Sequence, residues 1–314
     1  MRLRWGRPDL SEYADRFEVP AATDDSDLQV TFLGVSSLLI RDGDSAVLTD
    51  GFFSRPGLAR VALGRVAPDD VRIDAALAQA GLTGVGSLDL VTPVHSHYDH
   101  ALDSAAVAAR TGALLAGGTS TANIGLGGGL AEESLLRVAS GDSHRVGSFS
   151  LTWIASTHCP PDRFPGEITE PLTPPARVRA YKCGEAWSIH VEHDSGRSCL
   201  IQGSAGFVPG ALIGLHAPVV YLGVGQLGLH DEEYLRAYWD ETVVTLGARR
   251  VVLIHWDDFF SPLTRPLRAV PYAGDDLDAT WRVLAPLAKA QGVDLQFPTL
   301  WRAEDPWQGL AGLD

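Results

Sequence analysis

The segment Val94-His95-Ser96-His97-Tyr98-Asp99-His100 places three of the chain's ten histidines and a carboxylate within six positions. Imidazole nitrogen and carboxylate oxygen are the donors that borderline divalent metals such as Zn²⁺ prefer. His95 and His97 stand two apart in what reads as an extended loop, so both rings can point the same way. Asp99 and His100 then turn into a helix start and face a second position a few Å away. An apolar strand, LDLVTPV, must deliver this loop, and a helix of small residues from Ala101 to Arg110 must receive it.

The surrounding sequence supplies the elements. LQVTFLG, SSLLIRD and SAVLTDG are short β-branched runs broken by Gly and Asp, the pattern of a β-meander. Residues 57–82 carry helical spacing. ALLAG, LLRVAS and FSLTWIAST read as strands; AWSIHVEH and RSCLIQG form a hairpin around Asp194-Ser195-Gly196. PVVYLG, a helix near 231–247, VVLIH, a helix near 275–290 and VDLQF follow. Residues 159–181 are Pro-rich without periodicity, and a loop this long inside a domain is usually functional, here expected to wall or cover a pocket. The pattern gives an N-terminal extension over 1–27 packed on the body, a body over 28–298 made of two ββα-rich halves, and a C-terminal tail over 299–314.

Composition narrows the function classes. With 314 residues, 45% hydrophobic and 20% charged, the chain can bury a large core, which excludes intrinsic disorder. A formal net charge of −14 repels phosphate backbones and argues against nucleic acid as a partner. Three cysteines cannot build a disulfide framework, and the odd number fits a reducing compartment. The start MRLRWGRPDLSEYADRF lacks the apolar core of a secretory signal, and no apolar run reaches the ~18 residues of a membrane span. The expectation is a cytoplasmic protein acting on a small molecule; the oligomeric state is left open.

H-x-H-x-D-H after a strand resembles the signature of the metallo-β-lactamase fold superfamily, and the likeness extends over about residues 28 to 298. It implies an α/β fold, a four-layer αββα sandwich. It also implies that His95, His97 and His158 hold a first metal, and that Asp99, His100 and His255 hold a second. His158 ends FSLTWIAST and His255 ends VVLIH, in the order that family requires. Asp50 ends the third strand of the meander and would accept a hydrogen bond from a ligand imidazole or a loop amide, fixing its orientation. GVSSLLI is similar to the G-H-x-S-F-x-I segment of the branch containing ascorbate-phosphate lactonases and N-acyl-phosphatidylethanolamine phospholipase D, with Val35 in place of the histidine. The chief departure is Gly203-Ser204, where the family carries Gly-Asp and that Asp bridges two metals. A serine hydroxyl cannot bridge as a carboxylate does, so the second metal is either weak or held by a water or hydroxide bridge, with Asp257 as a candidate helper. The other reading of Asp257, and the favoured one, is a helix cap or a surface carboxylate.

The resemblance implies a zinc-dependent hydrolase, with one or two Zn²⁺ per chain, in which zinc-bound hydroxide attacks an ester, lactone, amide or phosphodiester. Asp99 would orient the nucleophile or ligate the second metal, and His230 or Tyr98 would assist the leaving group. Trp256 and the Phe164 region would hold an apolar part of the substrate. The rivals are a di-iron oxidoreductase on the same fold and a non-catalytic binding protein with a degenerate second site. Gly223-Val224-Gly225-Gln226-Leu227-Gly228 matches a dinucleotide-binding pattern, but the carboxylates of Asp231, Glu232 and Glu233 would repel a pyrophosphate there. Gly203-Ser204-Ala205-Gly206 lacks the spacing of a serine-hydrolase elbow.

Overall fold

Strands form where the sequence supplies short apolar runs, and they assemble into two seven-stranded sheets of similar design. In the computed structural model, which describes residues 4–310, the first half contributes β1 (Gln29–Phe32), β2 (Leu38–Arg41), β3 (Ala46–Thr49), β4 (Leu90–Thr92), β5 (Leu114–Gly117) and β6 (Leu135–Arg137). The second contributes β7 (Ser143–Val146), β8 (Phe149–Ser156), β9 (Ala186–His193), β10 (Ser198–Gln202), β11 (Val219–Gly223), β12 (Arg250–Ile254) and β13 (Asp294–Gln296). A final strand, β14 (Ala303–Glu304), returns to the first sheet. The strand orders are β14-β1-β2-β3-β4-β5-β6 and β13-β12-β11-β10-β9-β8-β7. Pairing is antiparallel from β1 to β3 and from β7 to β10, then parallel through the rest of each half. The two ββα-rich halves expected from sequence are these two sheets. Strands β10, β11 and β12 are buried along their whole length, as their unbroken apolar runs require.

The inner faces meet in one core. Val30, Phe32, Ile40 and Val47 from the first sheet join Leu151, Trp153, Ile189 and Leu200 from the second. Trp153 also donates its indole N–H to Thr92 Oγ1 at 3.0 Å, so the end of β4 is tied to the second sheet just before the histidine loop. Truncating such a fully buried indole to alanine costs about 3–5 kcal/mol. On the outer face of the first sheet, Leu39, Leu48 and Val91 pack against Ile73 and Leu77 of α2 (Asp70–Gln79) and Val107 of α4 (Ser104–Thr111). On the far side of the second sheet lie α6 (Glu232–Trp239) and α7 (Leu277–Gln291), whose Leu235, Tyr238 and Leu284 join the same core. The result is four layers, helix–sheet–sheet–helix. Asp69, Asp231 and Asp276 each cap a helix by accepting an amide three residues on.

Several elements differ from the sequence reading. The helical spacing over 57–82 resolves into α1 (Leu58–Leu63) and α2, separated around Pro68. The helix near 231–247 is α6 continued by a wider turn over Asp240–Val244. Between them in sequence lie α3 (Tyr98–Ala101) and α5 (Thr119–Gly127); the glycines of α5 conceal it from propensity. The C-terminal stretch is woven into the body. Val30 and Thr31 pair with Glu304 and Ala303, and the buried Trp307 donates to Ser198 O at 2.9 Å. The N-terminal stretch packs through Tyr13 and Val19, both buried, and the Tyr13 hydroxyl donates to Asp278 at 2.7 Å. No helix among the described residues is long and apolar enough to cross a membrane.

Candidate metal centre

Every residue the motif singles out leaves a strand by its C-terminal end. Asp50 follows β3, His95 to His100 follow β4, His158 follows β8, Ser204 follows β10, and His255 follows β12. The two sheets deliver these ends to one edge, the usual place for a site in an α/β fold. The backbone there is unusual. Val35, Asp50 and His255 have φ of 55°, 53° and 60°, a region that a β-branched valine adopts only when held. Asp257 does the holding. Its Oδ1 accepts from Val35 N at 2.8 Å, while Oδ2 takes the Arg55 guanidinium at 2.5 Å, both side chains fully buried. His255 N then donates to Val35 O at 2.7 Å. Asp257 is therefore neither a helix cap nor a surface carboxylate, and its charge is spent on Arg55 rather than on a bridging role.

Two groups of donors result. His95, His97 and His158 bring one ligand atom each to within 4.8 Å of one another, and Asp99, His100 and His255 do the same. In the first, His95 Nε2 lies 3.1 Å from His97 Nδ1. In the second, His100 Nε2 lies 3.2 Å from His255 Nε2, with Asp99 Oδ2 at 3.8 and 3.7 Å from them. Neighbours fix which nitrogen carries the proton in three rings. His158 Nδ1 donates to Cys159 O at 2.7 Å. His100 Nδ1 donates to Asp50 Oδ2 at 2.8 Å, and Val94 N donates to Asp50 Oδ1 at 2.9 Å. Asp50 thus does what was expected of it, accepting from both an imidazole and a loop amide. His97 Nε2 faces only acceptors, Asp162 Oδ1 at 3.3 Å and Phe164 O at 3.4 Å. The inward nitrogens of His97, His100 and His158 therefore present lone pairs to shared points, an arrangement suited to a cation. Outward, His95 Nδ1 and His255 Nδ1 are buried with no hydrogen-bond partner.

The electrostatics agree. Burial, aided by neighbouring imidazoles, pulls His95 well below the usual histidine range. Burial likewise brings His97 and His255 down to about 4 and lowers His158. His100 is the exception: burial pulls it down, but Asp50 and Asp99 outweigh burial and raise it. For Asp99, burial pushes up, and the charges of His100, His255 and His97 outweigh it, so the carboxylate stays ionised. Neutral imidazoles beside an ionised carboxylate are the protonation states that metal ligands need.

A cavity of about 370 Å³ opens over the centre. His97, Asp99, His158, Ser204 and His255 reach its floor, and Val61, Phe164, Val178, Phe259 and Phe260 form apolar walls, with Arg163 at the rim. Gly225 and Gln226 also line it, so the Pro-rich segment and the 223–230 loop both contribute walls. A second cleft of about 450 Å³ lies on the other side of His158, against Pro160, Asp162, Phe207 and Tyr234.

Other expectations are corrected. Trp256 does not face the cavity; it is buried beneath the site among Phe17, Phe32 and Phe297, donating to Leu253 O at 3.0 Å. The apolar wall expected of it comes from Phe259 and Phe260. His230 lies behind Cys159, its Nε2 3.4 Å from the Cys159 Sγ, stacked on Tyr234, and it lines a separate cleft with Glu232 and Arg236. Tyr98 does line the cavity, but burial lifts its phenol far above the usual range, so it serves only as a proton-bearing group. Ser204 lines the floor, with Oγ accepting from Cys159 N at 3.0 Å. The glycines of residues 223–228 are there for packing. A Cβ on Gly225 would come within 2.6 Å of His255 Nδ1, and one on Gly228 within 2.0 Å of Asp276 O. Sequence reasoning missed Asp162 and Arg55. The signal available for Asp162 was its place four residues past His158, on a segment bound to pass the centre.

No protein-family model matches the chain, and no curated protein matches it. Solved structures do. A possible metal-dependent hydrolase from Veillonella parvula DSM 2008 is 13% identical with a TM-score of 0.55, covering 88% of this chain and 99% of that one. The metallo hydrolase Igni18 from Ignicoccus hospitalis is 16% identical with a TM-score of 0.51, over 88% and 96%. CmlA, a diiron β-hydroxylase from Streptomyces venezuelae, is 13% identical with a TM-score of 0.52, over 90% of this chain and 55% of that one. Two mixed sheets face to face between helices, with a histidine-rich centre at the strand ends, define a class, and the chain shares the αββα fold of these metal-dependent hydrolases.

Proposed function

We propose that the protein is a zinc-dependent hydrolase. Its ligands are His95, His97 and His158 at one position and Asp99, His100 and His255 at a second. The single observation that carries this reading is the convergence of two donor triads in which the outer nitrogens of His97, His100 and His158 are bonded to Phe164 O, Asp50 and Cys159 O, leaving their inward nitrogens facing shared points. A zinc ion held by these residues would lower the pKa of water to about 7 and polarise an ester, lactone, amide or phosphodiester. The chain's own residues do the rest. Asp99 accepts a proton or orients the attacking water from the floor. The apolar walls exclude bulk solvent and seat an apolar substituent, while Arg163 at the rim suits an anionic one. Tyr98, which keeps its proton, can donate a hydrogen bond into the cavity. His230 has no part in this scheme.

A second reading, di-iron oxidation, draws support from the likeness to the diiron β-hydroxylase. Five imidazoles with Asp99 as the one carboxylate among the six donors favour zinc. Elemental analysis of protein purified without added metal separates the two, with one to two zinc per chain expected. A dominant iron signal with a visible charge-transfer band would overturn the zinc assignment. Metal-free protein that regains no zinc would overturn the hydrolase reading itself.

A further inference from the structure

His97 differs from the other rings in being gripped from the pocket wall. Asp162 Oδ1 lies 3.3 Å from its Nε2, and Phe164 O lies 3.4 Å from the same nitrogen. Both belong to the Pro-rich segment. Asp162 is itself fixed, since Phe164 N donates to its Oδ1 at 2.9 Å, and the Cys183 thiol lies within 4.8 Å of its carboxylate. Cys183 closes the clasp through its backbone, donating to Phe164 O at 2.9 Å and accepting from Ser96 N at 2.8 Å. The loop carrying His97 and the wall carrying Phe164 are thus joined by three consecutive links.

We propose that Asp162 is the positioning residue for His97: by accepting from Phe164 N it keeps the Phe164 carbonyl on Nε2, so that Nδ1 turns toward His95 and His158, and it ties metal affinity at the first position to the conformation of the Pro-rich wall. The proposal rests on the metal-dependent reading above. A carbonyl or carboxylate hydrogen-bonded to the outer nitrogen of a ligand imidazole fixes its tautomer and strengthens it as a donor. Asp50 makes that bond to His100 directly, whereas Asp162 acts on His97 through the Phe164 carbonyl and by its charge 3.3 Å away. The first triad contains no carboxylate of its own, so Asp162 also supplies negative charge beside three neutral rings. Because Phe164 lines the cavity and its ring centroid lies 6.1 Å from that of His97, an occupant that shifts the wall shifts the groups holding His97. Pocket occupancy and first-site metal affinity are then reciprocally linked.

The same side chains have another use on paper. His97, Asp162 and Cys183 bring ligand atoms within 4.8 Å and could themselves hold an ion. That ion would need the lone pair of His97 Nε2, leaving the proton on Nδ1 and aimed at His95 Nε2, 3.1 Å away. The first triad would be lost, so the two uses exclude each other.

The test is zinc binding by competition with a chromophoric chelator, for the wild type, Asp162→Asn, Asp162→Ala, Asp162→Glu and Cys183→Ser. Long-range ¹⁵N–¹H correlation of the His97 ring in zinc-loaded protein accompanies it. Asp162→Ala is expected to weaken the first zinc about 10–100-fold, and Asp162→Asn, which loses the charge but can still accept from Phe164 N, to weaken it less, with the second zinc unchanged. Asp162→Glu should recover part of the loss, and the proton should sit on Nε2. Cys183→Ser should leave zinc stoichiometry unchanged. Wild-type affinity in both Asp162→Asn and Asp162→Ala, a proton on Nδ1, or loss of a zinc in Cys183→Ser would each overturn the proposal while leaving the hydrolase reading standing. A wild-type protein that binds no zinc would overturn both.

Discussion

His97 and His158 are oriented by acceptors on the segment that begins at Cys159, whereas His100 is oriented by Asp50 at the end of a buried strand. The first triad therefore depends on a wall of the substrate cavity, and the second on the core. The charges differ too. The first consists of neutral imidazoles with Asp162 outside them, and the second includes Asp99 and has Asp50 behind it. In both, one sheet supplies two ligands from the loop after β4 and the other supplies the third, from β8 or β12. Sliding one sheet on the other would dismantle both triads, and Trp153 and Thr92 oppose that slide close to the centre. The difference teaches that equal ligand counts need not give equal sensitivity. The wall-held triad should respond to what occupies the pocket, and the core-held triad to what destabilises the fold.

The sharpest way to break this comparison is Asp50→Asn. The amide tolerates the positive φ and can still accept from Val94 N, but it no longer supplies a charged acceptor to His100. A hydrogen bond to a buried charged group is worth about 1.5–3 kcal/mol, so chemical denaturation should show a loss of that size. Zinc at the second position should weaken about 10–100-fold while the first keeps its metal. Equal loss from both positions would show that the two triads are not separately anchored.

A broader effect comes from pH. In metal-free protein the folded-state values of His95, His97, His158 and His255 lie below the ordinary histidine value, two of them at about 4. The unfolded chain binds more protons as pH falls, so the stability these rings contribute is complete above about 6.5 and drains away toward pH 4. His100 is raised and works in the opposite sense, adding stability below its folded-state value. Four rings against one give a net loss. The thermal midpoint of chelator-treated protein should fall steadily between pH 6.5 and 4, with zinc released from loaded protein over the same window. A flat profile would mean that the rings are not held neutral by burial.

Much of this arrangement was legible in the sequence because both parts obey local rules. The histidine motif had to follow a strand, and His158 and His255 each ended an apolar run in the order that the resemblance implies for metal ligands. What was not legible depends on contacts across the chain. Asp257 reads as a surface carboxylate until Arg55, some 200 positions away, is placed beside it. Trp256 adjoins a ligand, yet it follows the left-handed turn at His255, and the indole turns into the core. Asp162 lies in an aperiodic segment whose path no propensity rule gives. Glycines hid α5 because their reason for being there is close packing: a Cβ on Gly125 would come within 2.7 Å of Leu135.

The smallest expected effect concerns Ser204, where the two triads meet without a shared carboxylate. Its side chain lines the cavity floor with His158 and His255 and accepts from Cys159 N. Ser204→Asp keeps an acceptor for that amide and adds a negative charge facing both groups. In metal-free protein the new carboxylate sits in a buried site near Asp99, and like charges there raise each other's pKa, so the chelator-treated variant should be less stable than wild type by about 1 kcal/mol. With zinc bound the sign reverses, because the added carboxylate offsets part of the metal charge and supplies a ligand the wild type lacks. The second zinc should leave to a chelator roughly tenfold more slowly, equivalent to about 1.4 kcal/mol if the whole effect falls on dissociation. The first zinc, with three imidazoles already in place, should change little. A variant that is destabilised without metal and releases its second zinc at the wild-type rate would show that residue 204 does not face the second position, and that the core-held triad is completed by solvent alone.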